Sequence, residues 1–364
     1  MKPSPDTLRK LPDVDKLMQE SDPALMVSNY FPESEQALTA KGMVETGAFE
    51  SLELPAAETE LPGSINNERM AVVEAGWRGL EKISADGEDA ELTPAENFGL
   101  EAIIVLEGRP AILLQRGELL QVPDEWSVLN DLKDDINQTA RSVGRIEVSG
   151  HPSFDWVGTG FLVADDVVMT NRHVAEAFCH RPPRKRTWRF KPGMSGQIDY
   201  MEEWGNLDKA EFEFRSVIGV HDVYDMALFR VRRISPSGVE PPQPLTIASE
   251  SPEDLDNHKV YACGYPAWDG RRNEPAAMMR IFANIFNVKR LQPGELRQFH
   301  ANSNIVEHDC STLGGNSGSC VVDLDTNRVV GLHFGGRFQQ ANKAVALWQL
   351  TDDPLLVKAG VNFA

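Results

Sequence analysis

Ser317 stands in the run Gly314-Gly315-Asn316-Ser317-Gly318-Ser319, and His173 closes the run Thr170-Asn171-Arg172-His173. A serine hydroxyl is a weak nucleophile at neutral pH. It becomes useful when an imidazole within hydrogen-bond reach takes its proton and backbone amides receive the oxyanion it creates. The glycines around Ser317 let the chain turn so that N–H groups converge on one point. A carboxylate is the usual third partner, fixing one imidazole tautomer and stabilising the imidazolium. Asp225 fits that role, because it directly precedes the apolar stretch Met226-Ala227-Leu228-Phe229. Asp222, three residues earlier, is the rival and would leave that strand. The order His, Asp, Ser is one of the few chain orders this chemistry uses.

Further pieces fall in sequence around these three. Gly158-Thr159-Gly160-Phe161-Leu162-Val163 precedes the histidine, and Asp166-Val167-Val168-Met169-Thr170-Asn171-Arg172 delivers it. Gly331-Leu332-His333-Phe334-Gly335-Gly336 follows the serine. Over about residues 140–364 the chain resembles the trypsin-like, chymotrypsin-fold serine proteases. The resemblance implies a mainly β protein of two six-stranded antiparallel barrels, with a partly helical N-terminal extension. It places His173 and Asp225 on the first barrel, Ser317 on the second and the site between them. It also implies an oxyanion hole built from the amides of Gly315 and Ser317.

One departure from that family stands beside the nucleophile. Trypsin-like zymogens carry an Asp there that captures a newly cut N-terminal ammonium. This chain has Asn316, and a neutral amide cannot form that ion pair. The site is therefore preformed or held by another element.

Specificity reads from the same segments. Six residues before Ser317, where trypsins keep the Asp that receives Arg or Lys, stands Ser311. Thr312 and His333 match positions that bind the substrate carboxylate in bacterial glutamyl endopeptidases, the relatives this chain most resembles. A hydroxyl and an imidazole N–H both suit a carboxylate. Phe334 and Gly335 continue the strand that lines the substrate in that family. His333 reads equally well as a satisfied core histidine on a strand.

Composition bounds the rest. The 364 residues carry a net charge of −19. Residues 1–98 hold twenty acidic side chains against eight basic ones, which argues against a nucleic-acid partner. Arg181, Arg184, Lys185 and Arg186 form one basic run, broken by Pro182 and Pro183 into a surface loop. No apolar run reaches the ~18 residues of a membrane helix, and the N-terminus lacks the apolar core of a secretory signal. Cys179, Cys263, Cys310 and Cys320 do not match the paired positions of secreted trypsins, and Val174 follows His173 where those enzymes commonly have Cys. Free buried thiols in a reducing, cytoplasmic, bacterial-type setting are the expectation. The other histidines show no metal-ligand spacing, and no phosphate-binding glycine loop occurs. No metal and no cofactor are expected.

The elements that must position the site begin at Val143–Val148, the first protease strand. Residues 141–364 read as the protease domain. Residues 1–98 read as an acidic, partly helical or flexible region, suited to regulation or docking. Within it Leu8–Met18 has helical patches, and Asn67–Ile83 is an amphipathic helix with Met70, Val73, Trp77, Leu80 and Ile83 near one face. Residues 99–140 read as a hairpin, with strands at Ala102–Leu106 and Ala111–Leu114, followed by a helix over Trp126–Thr139. The expected activity is an intracellular serine endopeptidase acting on protein or peptide substrates, with the N-terminal region as its site of regulation. The alternative is a non-catalytic interaction protein that keeps the protease fold as a binding surface.

Overall fold

The computed structural model describes residues 1–30, 62–185, 187–267, 286–312, 314–336 and 341–364. The N-terminal region expected to be partly helical or flexible includes residues 31–61, which lie outside the described residues. Two compact units appear. The first comprises Met1–Ala111 and Pro123–Ser127, and the second Ile112–Val122, Val128–Asp269 and Phe286–Ala364.

The first unit is helical: α1 (Pro5–Lys10), α2 (Val14–Glu20), α3 (Pro23–Tyr30), α4 (Pro62–Asp86) and α5 (Pro94–Ile103). Val73, Leu80 and Ile83 of α4 pack with Met26 of α3 and with Leu100 and Ile103 of α5. Gly76 and Gly99 let α4 and α5 cross closely, since a Cβ on either would overlap the other's backbone. The start of α5 is a capping box. Thr93 Oγ1 accepts from the Glu96 amide at 3.2 Å, and Glu96 Oε2 accepts from the Thr93 amide at 2.8 Å. Lys82 also donates to Glu96 Oε2, at 2.8 Å. The hydrogen bond from Lys82, then that from the Thr93 amide, hold the Glu96 carboxyl down at about 2.

This box corrects one expectation. Ala102–Leu106 is not a strand: α5 runs to Ile103, and a π-turn continues over Ile104–Gly108. The cap commits the chain to helix, and Leu100, Ile103 and Leu106 then share the face packed on α4. The hairpin lies later, as β1 (Ile112–Gln115) and β2 (Glu118–Leu120). The expected helix over Trp126–Thr139 is broken into a 3-10 turn at Asp124–Trp126 and helices at Val128–Asp131 and Lys133–Arg141.

The second unit holds two closed six-stranded antiparallel barrels. The first is built from β3 (Val143–Ser149), β4 (Trp156–Ala164), β5 (Val167–Thr170), β8 (Ser195–Asp199), β9 (Glu211–Val220) and β10 (Ala227–Val231), in the order β10-β5-β4-β3-β8-β9, while the short β6 (Cys179–His180) and β7 (Arg189–Phe190) pair with each other outside it. Phe178, Phe214 and Phe229 stack in its core, with Phe214 and Phe229 centroids 4.6 Å apart. Burying one such ring contributes about 1.5–3 kcal/mol.

The second barrel is built from β11 (Lys259–Gly264), β12 (Arg290–His300), β13 (Ile305–His308), β14 (Cys320–Asp323), β15 (Val329–Gly335) and β16 (Asn342–Ala346), in the order β11-β14-β15-β16-β13-β12, and closes through β11–β12. The β1–β2 hairpin extends this sheet, pairing Ile112 with Leu291 of β12. All four cysteines are buried, and none is in a disulfide. Burial pushes the Cys179 and Cys263 thiols up to about 12. Among the described residues no helix is long and apolar enough to cross a membrane.

Candidate active site

His173 lies in the first turn of a short helix, Arg172–Phe178, that follows β5. The helix start is tied to the loop ahead of β10. Asn171 Nδ2 donates to Asp225 O at 2.9 Å, and the Arg172 guanidinium donates to the carbonyls of His221 and Tyr224. Asp225 Oδ2 meets His173 Nδ1 at 2.7 Å, and Oδ1 accepts the His173 amide at 3.0 Å. Burial acts to raise the Asp225 carboxyl. The hydrogen bonds and charge of His173 outweigh it and hold the group below its ordinary value. An ionised Asp225 sets the Nδ1–H tautomer, so the Nε2 lone pair of His173 is free to accept a proton.

The loop that carries Asp225 has its own brace. His221 Nδ1 accepts the amides of Val223 and Tyr224 at 3.0 and 2.9 Å. Its Nε2 therefore carries the proton and donates to Asp353 Oδ2 at 3.0 Å. Asp222 points elsewhere: its side chain is 84% exposed and meets Arg181 at 3.3 Å.

The serine turn joins β4 of the first barrel to the second barrel. Gly315 and Gly318 have φ of +85° and +92°, a region that favours glycine. Thr159 holds the turn at two atoms and is itself held by Thr170 of β5. Its amide donates to Ser317 O at 2.9 Å, its Oγ1 donates to Gly315 O at 2.8 Å, and its carbonyl accepts Thr170 Oγ1 at 2.7 Å. Gly158 sits between the two halves of the site. A Cβ there would lie 2.8 Å from Val174 Cγ2, beside His173, and 2.9 Å from Ser317 O. Among the described residues the amides of Gly315 and Ser317 have no hydrogen-bond acceptor, and neither does the Ser317 hydroxyl.

Asn316 is fully buried. Its Oδ1 accepts from Gln292 Nε2 at 3.3 Å and from Ser319 Oγ at 3.4 Å. The partners of the Asn316 amide oxygen are thus neutral donors. The Met1 ammonium donates to Leu92 O at 2.5 Å, within the helical unit.

β15 runs alongside the serine turn. The Gly318 amide donates to His333 O, and the His333 amide donates to Ser319 O, each at 2.9 Å. His333 is 2% exposed. Burial, then His308 and His173, push its imidazole well below the ordinary value, so it is neutral near pH 7. Phe334 and Gly335 follow it, half-buried, and Gly335 pairs with Lys343 of β16. Thr312 is half-buried in the segment after β13, its amide donating to Cys310 O at 2.9 Å. Among the described residues no hydrogen bond joins Thr312 to His333.

Among the described residues, two sets of side chains have ligand atoms close enough to hold a cation: His258, Asp323 and Asp325, and Glu147, Asp199 and Glu211, each set within 4.8 Å. In the first, Asp323 already accepts from His258, the Asp325 amide and Thr326. In the second, Glu147 is paired with Arg145 and Gln197, and Glu211 with Lys209.

Sequence reasoning missed Thr159, Arg172, His221 and His308. Thr159 lies between Gly158 and Gly160, and a hydroxyl flanked by two glycines is a signal for a close backbone approach. Arg172 adjoins the histidine, while His221 and His308 carry no local sequence signal.

Residues 158–332 match the family model of the trypsin-like peptidase domain. A probable serine protease of Lysobacter enzymogenes is 28% identical over 289 residues, covering 71% of this chain and 75% of that one. A glutamyl endopeptidase of Staphylococcus epidermidis is 28% identical over 193 residues, covering 52% of this chain and 57% of that one. The chain therefore spans just over half the length of that second relative. Among solved structures, the active form of the Rv3671c protease of M. tuberculosis is similar at 19% identity, with a TM-score of 0.42, covering 65% of this chain and 87% of that one. Residues 158–332 thus match a trypsin-like peptidase domain, and that match together with the serine protease relative supports a serine endopeptidase.

Proposed function

We propose that Ser317, His173 and Asp225 are the catalytic triad and that the enzyme prefers an acidic residue before the scissile bond. The reading is carried by the double hydrogen bond of Asp225 to His173, with the serine turn across Gly158 from that pair. Ser317 Oγ attacks the substrate carbonyl carbon as His173 Nε2 takes the hydroxyl proton. The oxyanion is received by the amides of Gly315 and Ser317, each such donor contributing about 10²–10³ in rate. Collapse breaks the C–N bond, and His173 gives its proton to the leaving amine. Water, activated by the same imidazole, then hydrolyses the acyl-enzyme.

Acid preference is supported by the place of His333 beside the serine turn, by Thr312 and by the lack of a carboxylate at Ser311. A carboxylate entering such a site loses water and must be met by donors. A neutral His333 would supply one hydrogen bond, and each bond to the charged group contributes about 1.5–3 kcal/mol. The helical unit, with a core of its own, is the proposed regulatory or docking part. The buried free thiols suit a reducing compartment, in keeping with a cytoplasmic enzyme.

A fluorophosphonate probe tests the catalytic reading. Labelling of the wild type that is lost in Ser317→Ala supports it, and an unlabelled wild type would favour a non-catalytic binding protein. A peptide library tests the preference. Selection of Arg or Lys, or a profile unchanged by His333→Ala, would remove it.

A further inference from the structure

Two imidazoles face each other inside the second barrel. His308 comes from β13 and His333 from β15, on either side of β16, where they pair with Asn342 and Ala344. Their exposures are 0% and 2%. His308 Nε2 lies 3.0 Å from His333 Nδ1, with the rings inclined at 74°. At that distance one nitrogen donates and the other accepts, so a single proton lies between them. Two neutral arrangements satisfy this contact. In one, His308 donates and His333 is the Nε2–H tautomer. In the other, His333 donates through Nδ1 and its Nε2 carries only a lone pair.

The choice decides what His333 can bind. Only the first arrangement gives it an N–H at the ring nitrogen facing away from His308. In the second, that nitrogen would repel a carboxylate. Among the described residues His333 makes no other side-chain hydrogen bond, so His308 alone sets its tautomer. A pair of aliphatic side chains would fill the barrel without the cost of burying polar rings.

We propose that His308 is a positioning residue: it donates Nε2–H to His333 Nδ1 and so holds His333 ready to donate Nε2–H to an acidic substrate side chain. This rests on the acid preference proposed above. His308 itself touches no substrate. A donor of similar reach, such as the Gln amide, should substitute for it, whereas an aliphatic side chain should not.

The experiment uses the full chain, labelled with ¹⁵N-histidine, as wild type, His308→Gln and His308→Leu. The ¹⁵N spectrum, with His333 assigned by comparison with His333→Gln, reads the tautomer directly. Expected are Nε2–H in the wild type and in His308→Gln, and a mixture of tautomers in His308→Leu. In parallel, kcat/KM is compared for a Glu peptide and its Gln isostere. His308→Leu should lower the Glu-to-Gln ratio by roughly tenfold or more, the worth of one bond to a charged group, and His308→Gln should restore most of it. The Gln peptide itself should change little.

Nδ1–H on His333 in the wild type overturns the proposal. So does an equal loss on both peptides in His308→Leu, which marks a purely structural role. The wild-type spectrum decides the matter even if His308→Leu does not fold. A wild type without preference for Glu would sink the acid-recognition reading, while Nε2–H lost on removing the His308 donor would still support the positioning role.

Discussion

The carboxylate of Asp225 holds His173 twice, taking the ring Nδ1–H at 2.7 Å and the backbone N–H at 3.0 Å. The ring is thereby fixed in tautomer, and the start of its helix is fixed in place. The loop bearing Asp225 is itself anchored by Arg172 and by His221. The orientation of the proposed base is thus set from several directions while its side chain remains 47% exposed.

Asp225→Asn should leave the fold intact and lower kcat by about 10⁴-fold, because the amide can present an N–H to Nδ1 and favour the wrong tautomer. Steady-state kinetics beside a thermal melt would check it. A loss below tenfold would remove Asp225 from the mechanism.

Gly158→Ala places a Cβ 2.8 Å from Val174 Cγ2 and 2.9 Å from Ser317 O. Either the histidine helix or the serine turn must move. A displacement near 1 Å in such a site costs about 10²-fold. The expected outcome is a fall in kcat of that order, with the probe-labelling rate falling in parallel.

Asn316→Asp should destabilise the protein at neutral pH by about 3 kcal/mol, as a buried carboxylate without a countercharge. Burial raises the folded-state pKa of such a group, so the lost stability should return as pH falls through it. Denaturant melts across pH would read this. Stability equal to wild type at neutral pH would mean that a cation reaches the site.

The helical unit carries its own pH signature. Glu96 titrates at about 2 in the folded chain against an ordinary value of 4.5. Its stabilising contribution is complete above 4.5 and is lost as pH falls towards 2. The melting-temperature gap between wild type and Glu96→Gln should be widest near neutral pH and close across that window. A gap that persists at pH 2 would argue against the Lys82 and Thr93 contacts as its source.

The barrels were legible because their strands alternate or run apolar between glycine-rich turns, and because the Ser, His and Asp segments carry local signals. Ala102–Leu106 misled for a physical reason. A short apolar run has no period of its own, and the Thr93–Glu96 capping box upstream of it decides its state. The His308–His333 contact was not legible at all. It depends on two strands being separated by β16, and the register of a barrel cannot be read from one strand. Thr159 shows the middle case: its motif is visible, but its contacts to Ser317 and Gly315 appear only once β4 meets the serine turn.

The buried thiols give the fold a built-in clock. Cys179 belongs to the core of the first barrel, whereas Cys263, Cys310 and Cys320 lie in or beside the second. A thiol reagent can reach each one only when its surroundings open, so the rate of modification at a given cysteine counts openings of that barrel. Mass spectrometry of partly modified protein would therefore show which half of the enzyme breathes first, and whether a bound peptide silences one half or both.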